Sequence, residues 1–126
     1  MPGYLLDTHI LLWWLEGSEK LPAKARDVIQ DGQNAIYVSA GAIWEMVIKQ
    51  ALGRLEMPDD LEAVLAGDHI EVLPITAAHT LAVATLPPHH HDPFDRIQIA
   101  QARHERLVLI SVDADIQKYD AELLAL

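Results

Sequence analysis

The chain has 126 residues, 51% of them hydrophobic and none cysteine, so one domain with its own core is expected and thiolate chemistry is excluded. Nineteen acidic against nine basic side chains give a net charge of −10, which weighs against a nucleic-acid partner because phosphate binding depends on Lys and Arg. Acids that bind a metal would weaken that objection. No apolar run approaches the ~18 residues of a membrane span, and the lack of cysteine fits the cytoplasm, where we expect the protein.

Strand and helix patterns alternate along the sequence, which is typical of an α/β fold with a parallel sheet covered by helices on both faces. The predicted strands are the apolar runs at 4–6, 35–38, 70–75 and 107–112. Predicted helices begin after the cap residues Thr8, Ser39, Thr76 and Asp92 and at Pro22 and Pro58. They end near Gly17, Gln30, Gly53, Ala66, Pro87 and Arg106. No repeat or change in composition indicates a second domain.

Two of the predicted strands end on an aspartate. Asp7 follows the first strand and Asp113 follows the last. Ligands of open parallel sheets bind beyond the carboxyl ends of the strands, so we expect the two side chains to approach each other. Two carboxylates ~4 Å apart repel by about 4 kcal/mol at an effective dielectric constant of 20. A divalent cation is therefore the first expectation for this edge.

Glu45 and Lys49 interrupt a helix that is otherwise largely apolar. Their spacing fits an i,i+4 ion pair on an exposed strip, which stabilises a helix by a few tenths of a kcal/mol. It also fits a carboxylate that points into the crevice with the lysine one turn further along. The apolar flanks favour this second interpretation, because an unpaired buried carboxylate is unfavourable.

A fourth acid, Asp95, lies at the start of the helix that Asp92 and Pro93 begin. An acid in the first turn is favoured by the helix dipole, so the residue has a structural explanation of its own. A role of Asp95 in a metal site is suggested only if the residue lies close to Asp7 and Asp113. The preceding histidines at 89–91 suggest transition-metal binding, but adjacent loop residues rarely converge on one ion.

Several short motifs occur in a fixed order. They are Tyr4-Leu5-Leu6-Asp7-Thr8-His9, Ser39, Trp44-Glu45, Lys49, Leu86-Pro87, His91, Asp92-Pro93-Phe94-Asp95-Arg96, Ile99-Ala100-Gln101-Ala102, Ser111-Val112-Asp113 and Tyr119. This ordered set resembles the PIN-domain ribonucleases, and within them the VapC-type toxins of type II toxin-antitoxin modules. The resemblance covers the whole chain and implies one PIN domain over residues 1–126, an α/β/α sandwich around a central parallel sheet.

The resemblance also implies an activity. Relatives hydrolyse RNA phosphodiester bonds with Mg²⁺ or Mn²⁺, and Asp7, Glu45, Asp95 and Asp113 fall on their four acidic positions. Relatives commonly form homodimers, and a cognate antitoxin neutralises them, often by placing an arginine among the acids. An acidic surface suits such a partner.

The chemistry of the four acids agrees with this implication. Mg²⁺ prefers oxygen ligands and keeps several waters, which leaves positions for a substrate phosphate. We expect Asp7 and Asp95 to bind an ion directly, and Asp113 and Glu45 to hold it through water or to hold a second ion. Glu45 is also a candidate general base for the attacking water.

Other polar side chains near these motifs have two interpretations each. Thr8 and Ser111 either bond the ligands or a phosphate, or serve local structure, Thr8 as a helix cap. Lys49 either contacts substrate or steadies Glu45, and Arg96 either contacts phosphate or pairs with an acid. Asp115 either joins the site or lies in a surface turn. The tryptophans at 13, 14 and 44 are expected in the core or in dimer contacts.

Two other classes of protein remain as alternatives. A catalytically inactive PIN-like scaffold that only binds proteins would share the fold. A receiver-like phospho-accepting domain is disfavoured because its first strand normally ends in paired acids and its middle strand in the acceptor. Here the first strand ends in Asp7-Thr8-His9 and the second ends in Val38-Ser39-Ala40.

Overall fold

The computed structural model describes residues 3–90 and 92–126. The elements are β1 (Gly3–Leu6), α1 (Thr8–Glu16), α2 (Ala23–Gln30), β2 (Ala35–Ser39), α3 (Ala40–Ala51), α4 (Leu61–Gly67), β3 (Ile70–Leu73), α5 (Ala77–Val83), α6 (Pro93–Glu105), β4 (Val108–Ile110) and a 3₁₀ turn at Ile116–Lys118. Their alternation confirms the predicted α/β class. None of the helices in the described ranges is long and apolar enough to cross a membrane.

The strands form one parallel sheet in the order β3-β2-β1-β4. Leu6, the last residue of β1, pairs with Val38 of β2 and with Ile110 of β4. The carboxyl ends of these three strands therefore lie side by side. The chain leaves the sheet at this edge through Asp7 and Ser111, next to each other.

Two apolar cores cover the two faces of the sheet. Successive strand residues point to opposite faces, so Leu6 packs with Ile10 of α1 on one side while Leu5 packs with Ile99 of α6 on the other. Residues of α1 to α4 contribute to the first core and residues of α6 to the second. Each fully buried Leu or Ile contributes about 1.5–3 kcal/mol. This arrangement is the predicted α/β/α sandwich.

Two helix starts differ from the prediction. The cap of α1 is Asp7, whose side chain accepts a hydrogen bond from the Ile10 amide at 2.9 Å, and Thr8 is the first helical residue. The fourth helix begins at Leu61 rather than Pro58, because the Asp60 side chain caps it by accepting from the Ala63 amide. In both cases a carboxylate satisfies an amide that the helix leaves unbonded.

Two strands are shorter than predicted. The third ends at Leu73 because Pro74 has no amide hydrogen to continue the ladder. The fourth covers only 108–110, since the Leu107 amide bonds the Ala102 carbonyl at the end of α6. Beyond the strand, the Asp113 amide donates to the Ser111 hydroxyl instead of to the sheet. Local side-chain bonds thus replace sheet pairing at the edge where the acids lie.

Candidate functional site

Asp7 and Asp113 are linked through Ser111 at the carboxyl edge of the sheet. The Asp7 amide donates to the Ile110 carbonyl at 3.1 Å, which places Asp7 beside the end of β4. The Ser111 hydroxyl accepts from the Asp113 amide at 3.1 Å, and the same side chain lowers the pKa of the neighbouring Asp7 carboxyl group. Ser111 therefore organises the acids that end the two central strands.

The Asp7 carboxyl group is almost completely removed from solvent, with 3% of the residue exposed. Burial raises the pKa of Asp7, and the charge of Asp113 adds to the increase, while the hydrogen bonds from Ser111 and the Ile10 amide oppose it. The anion is poorly solvated at this position. A cation bound here would stabilise the carboxylate anion in place of the missing water.

Glu45 enters the site from α3 with both carboxylate oxygens engaged. Oε1 accepts from the Thr8 hydroxyl at 2.7 Å, and Oε2 lies 2.9 Å from Nζ of Lys49. Gln98 of α6 in turn donates to the Thr8 hydroxyl at 3.2 Å. Only 6% of Glu45 is exposed, so the residue is both an i,i+4 partner of Lys49 and a buried acid.

Asp95 lies in the first turn of α6, behind the capping side chain of Asp92. Its pKa is raised to about 7 by burial first, then by the charge of Asp92, with smaller increases from Glu45 and Asp7 and a decrease from His90. Gln98, one turn along α6, donates to the Thr8 hydroxyl next to Asp7, so the start of α6 lies near the end of β1, where the charges of Glu45 and Asp7 raise the pKa of Asp95. The four acids predicted from the sequence are thus brought to one edge of the sheet.

Asp113 is held more by the backbone than by side chains. Its Oδ1 accepts from the amides of Asp115 and Ile116 at 2.8 and 3.2 Å. Its Oδ2 faces Nε2 of His90 at 3.4 Å. Oδ2 is therefore the oxygen that shares the His90 ring nitrogen with Asp95.

The His90 side chain contacts two of the four acids, although the sequence gave little reason to expect a histidine in this site. Its Nε2 lies 2.9 Å from Oδ2 of Asp95 as well as 3.4 Å from Oδ2 of Asp113. The neighbouring His89 instead packs edge-on against Tyr119, with ring centroids 5.1 Å apart, and His91 lies outside the described residues. The signal available in the sequence is the position of His90, two residues before the cap of α6.

Arg96 was predicted to contact phosphate or pair with an acid, but its guanidinium group instead contacts the loop between α5 and α6. Nη1 and Nη2 of its guanidinium group lie within hydrogen-bond distance of five acceptors, and none of these acceptors is one of the four acids. The acceptors are the carbonyls of Val83, Leu86, Pro87 and His90 and the hydroxyl of Tyr119, at 3.0–3.3 Å. Arg96 therefore ties the segment after α5 to the start of α6.

Asp115 lies at the margin of the site. A ligand oxygen of Asp115 falls within 4.8 Å of ligand atoms of His90 and Asp113. The same side chain pairs with Nζ of Lys118 at 3.0 Å, and this hydrogen bond lowers the pKa of Asp115. Its charge is thus compensated on the surface.

The tryptophans fall into two groups. Trp13 and Trp14 are partly buried against the core beneath the sheet. Trp44 is 61% exposed and packs edge-on against Phe94 at 5.2 Å between ring centroids. A groove of about 440 Å³ lies beside this pair, lined by Ile75, Pro93 and Ile97 among others. Trp44 is therefore a surface residue next to Glu45.

The donor set of the site suits a hard divalent cation. Oxygen atoms of Asp7, Glu45, Asp95 and Asp113 are the available ligands, and Mg²⁺ and Mn²⁺ favour carboxylate and water oxygens. Burial and mutual repulsion raise the pKa of Asp7 and Asp95, so a bound cation would relieve both costs. The residues present fit such an ion.

A second group of metal-ligand types, formed by His79, His104 and Glu105, fits less well. Their ligand atoms lie within 4.8 Å of one another. However, Nδ1 of His79 accepts from the Thr76 amide at 3.0 Å, so the hydrogen is on Nε2, which faces Glu105 at 2.8 Å. A protonated nitrogen offers no lone pair to a metal.

Fold and site together define an α/β/α sandwich with an acidic crevice at the carboxyl edge of a parallel sheet. The sequence model of the PIN domain family matches residues 4–122, so the chain belongs to the PIN domain family. This membership confirms the resemblance and removes the receiver-like alternative. No curated protein sequence matches the chain.

Solved structures with the same fold include complexes of toxins and antitoxins. DNA-bound VapBC from Salmonella typhimurium matches with a TM-score of 0.71 at 14% identity over 98% of both chains. VapBC2 from Rickettsia felis, bound to a promoter fragment, matches with a TM-score of 0.70 at 14% identity over 97% of both chains. A toxin-antitoxin complex from Klebsiella pneumoniae matches with a TM-score of 0.65 at 20% identity over 97% of this chain and 96% of the other. At these identities the likeness shows a common fold.

Proposed function

We propose that the protein is a metal-dependent RNA endonuclease of the VapC type, the toxin of a toxin-antitoxin module. The placement of four acids at one edge of the sheet carries this proposal: Asp7 lies beside the end of β4, Glu45 bonds the adjoining Thr8, and Asp95 and Asp113 share a contact with His90. PIN-family membership over residues 4–122 supports it. The toxin-antitoxin complexes among the similar structures support the biological role.

The ion we assign to this site is Mg²⁺, with Mn²⁺ as a substitute; when bound, it orients the scissile phosphate, activates water and offsets developing negative charge. Asp7 and Asp95 are the direct ligands in this proposal. Oδ1 of Asp7 accepts the capping hydrogen bond of α1, and Oδ2 of Asp95 contacts Nε2 of His90. Each therefore has another oxygen to offer, and both side chains are held by hydrogen bonds before an ion arrives.

Glu45 and Asp113 act through water in this proposal. Thr8 and Lys49 engage the two oxygens of Glu45, and backbone amides engage Oδ1 of Asp113. Their remaining lone pairs suit hydrogen bonds to ordered waters better than close coordination. Lys49 keeps Glu45 in place, and Ser111 performs the same task for Asp7.

The proposed antitoxin is a basic partner. The net charge of −10 attracts cationic segments, and an arginine placed among the four acids would occupy the position of the ion. Because both toxin and RNA would meet in the cytoplasm, we assign the protein to that compartment. The RNA would bind through the bound ion and local basic groups such as Lys49 rather than through the charge of the whole surface.

The outer face of α3 supports a homodimer. Trp44, Val47 and Ile48 of α3 and Leu52, its C-cap residue, form an exposed apolar strip, at the i, i+3, i+4 and i+8 spacing of one helix side. Two copies of so acidic a chain repel each other wherever charged surfaces meet. An uncharged strip is the surface on which a second copy can dock without that repulsion.

A catalytically inactive protein-binding scaffold is the second candidate. The net charge favours it, since an acidic surface binds a basic protein more readily than RNA. A scaffold would bind its partner tightly and cleave no RNA at any concentration of Mg²⁺ or Mn²⁺. The two candidates therefore differ in a single assay.

The assay compares purified wild-type protein with Asp7→Asn and Asp95→Asn on total RNA in Mg²⁺ and in chelator. We expect chelator to abolish cleavage and each substitution to reduce it by about 100-fold or more, since even outer partners of metal ligands commonly matter 10–100-fold. Asp27→Asn, at an exposed position of α2, is the matched control and should cleave like wild type. Melting curves establish that the variants fold. Undiminished cleavage by Asp7→Asn would contradict the proposal.

A further inference from the structure

The His90 ring presents an N–H group to the acids. Its Nδ1 accepts a hydrogen bond from the Asp92 amide at 3.1 Å, so the hydrogen of the neutral ring is on Nε2. That nitrogen is 2.9 Å from Oδ2 of Asp95 and 3.4 Å from Oδ2 of Asp113. One donor therefore bridges two carboxylates that arrive from different elements, α6 and the segment after β4.

The backbone of His90 is fixed on both sides. Its amide donates to the Tyr119 hydroxyl at 2.9 Å, and its carbonyl accepts from Nη1 of Arg96 at 3.3 Å. Arg96 also donates to the same Tyr119 hydroxyl at 3.2 Å. A loop residue with both backbone groups and both ring nitrogens bonded has a defined position.

With Nδ1 accepting from the Asp92 amide, the bridging nitrogen carries the hydrogen and has no lone pair for a metal in this tautomer. A carboxylate oxygen has two lone pairs, so it can accept from His90 and still contact an ion or an ordered water. Without a donor between them, Asp95 and Asp113 would repel each other and separate. With the donor, they remain on the same side of the crevice.

We propose that His90 is a positioning residue whose Nε2–H bridges Asp95 and Asp113 and keeps the two carboxylates assembled for a divalent cation. This inference rests on the proposed function, because it assigns these acids to the ion. Outer hydrogen-bond partners of ligating carboxylates commonly change metal affinity 10–100-fold when removed. Arg96 and Tyr119 contribute by holding the backbone of His90.

Two substitutions separate the bridge from the local turn. In His90→Asn the side-chain oxygen can still accept from the Asp92 amide, but the side chain is too short to reach the acids. In His90→Gln the terminal amide nitrogen extends about as far as Nε2, so a donor to the acids is restored. A residue that only stabilises the loop would tolerate the Asn variant, whereas a bridge requires the longer side chain.

The experiment measures Mn²⁺ binding to wild type and both variants by isothermal titration, at equal folded fraction set by circular dichroism. We expect His90→Asn to bind about tenfold more weakly than wild type, and His90→Gln to recover most of the loss. Mn²⁺ binding by His90→Asn that equals or exceeds that of wild type would overturn the inference. His90 would then only stabilise its loop, or its ring would compete with the ion for the carboxylates, and the proposed function would still stand. Failure of wild type to bind Mn²⁺ would contradict both.

Discussion

At the scale of single residues, the acids of the crevice also have structural tasks. Asp7 is a candidate ligand and the N-cap of α1, and Asp113 orders the turn that leads to the 3₁₀ segment. Glu45 is fixed by Thr8 and Lys49 before any ion arrives. Each carboxylate is thus held by hydrogen bonds to its own element or its neighbour, which reduces the reorganisation that metal binding requires.

The double role of Asp7 predicts different outcomes for two substitutions. Asn caps helices as well as Asp does, whereas Ala costs about 1 kcal/mol at this position. Because burial raises the pKa of Asp7, removing its charge also relieves a cost in the metal-free protein. We expect Asp7→Asn to be at least as stable as wild type in chelator and Asp7→Ala to be about 1 kcal/mol less stable than Asp7→Asn. Urea denaturation measures both, and equal stability of the two variants would contradict the capping role.

The raised pKa of Asp95 predicts a pH dependence of stability. The carboxyl group has a pKa of 3.8 as a reference and about 7 in the folded protein, so the folded state binds more protons between these values. The contribution of Asp95 to the free energy of unfolding therefore falls as pH rises from about 4 to about 7. In chelator, we expect Asp95→Asn to become progressively more stable relative to wild type across this range. A difference that does not vary with pH in urea titrations would contradict the assignment.

At the scale of elements, the sequence predicted the strands and helices well and their ends less well. Alternating apolar runs and caps such as Ser39 and Thr76 indicated the order of elements because these signals are local. The start of α1 was wrong by one residue, since the Thr8 hydroxyl bonds Glu45 instead of capping the helix. That choice depends on a residue 37 positions away. Local propensity carries no information about it.

The loop between α5 and α6 was the other part of the structure that the sequence did not predict. Its path is set by the Arg96 guanidinium and the Tyr119 hydroxyl, which meet only after the sheet and α6 have packed. Asp7, Asp95 and Asp113 could be predicted because each follows or opens an element, and Glu45 because it interrupts an apolar helix, whereas His90 and Arg96 could not be placed. Two prolines, Pro87 and Pro88, indicate a turn but do not specify where the next side chains point.

Arg96 is therefore predicted to matter through the loop. Hydrogen bonds that involve a charged group contribute about 1.5–3 kcal/mol each as single deletions, and they are not additive. We expect Arg96→Ala to lower the free energy of unfolding by about 3 kcal/mol, and Arg96→Lys to recover little because an ammonium group cannot span the same acceptors. Urea denaturation in chelator measures this. A Lys variant as stable as wild type would show that a single positive charge suffices.

At the scale of the whole molecule, charge and apolar surface are separated. The chain carries a net charge of −10, yet the outer side of α3 presents Trp44, Val47 and Leu52 to solvent. The acidic crevice begins at Glu45, on the adjoining side of the same helix. The proposed basic partner and the proposed second copy of the chain would therefore use different surfaces of the protein.

The proposed dimer predicts a change in mass. We expect wild type to sediment at twice the 14.0 kDa chain mass and Leu52→Glu, which places a charge in the apolar strip, to sediment as a monomer. Val64→Glu on α4, also at an exposed valine, is the control and should remain dimeric. Sedimentation at several protein concentrations measures the dissociation constant. A dimer unaffected by Leu52→Glu would place the contact elsewhere.

The most direct test of the account is the location of a bound ion. Crystals grown with Mn²⁺ and measured at its absorption edge should show an anomalous peak between Asp7 and Asp95, with Asp113 and Glu45 around it and His90 bonded to Asp95. Crystals of Asp95→Asn grown under the same conditions should lose most of that peak. A peak at the group of His79, His104 and Glu105, with none at the four acids, would contradict the claim that these carboxylates hold the metal for RNA cleavage.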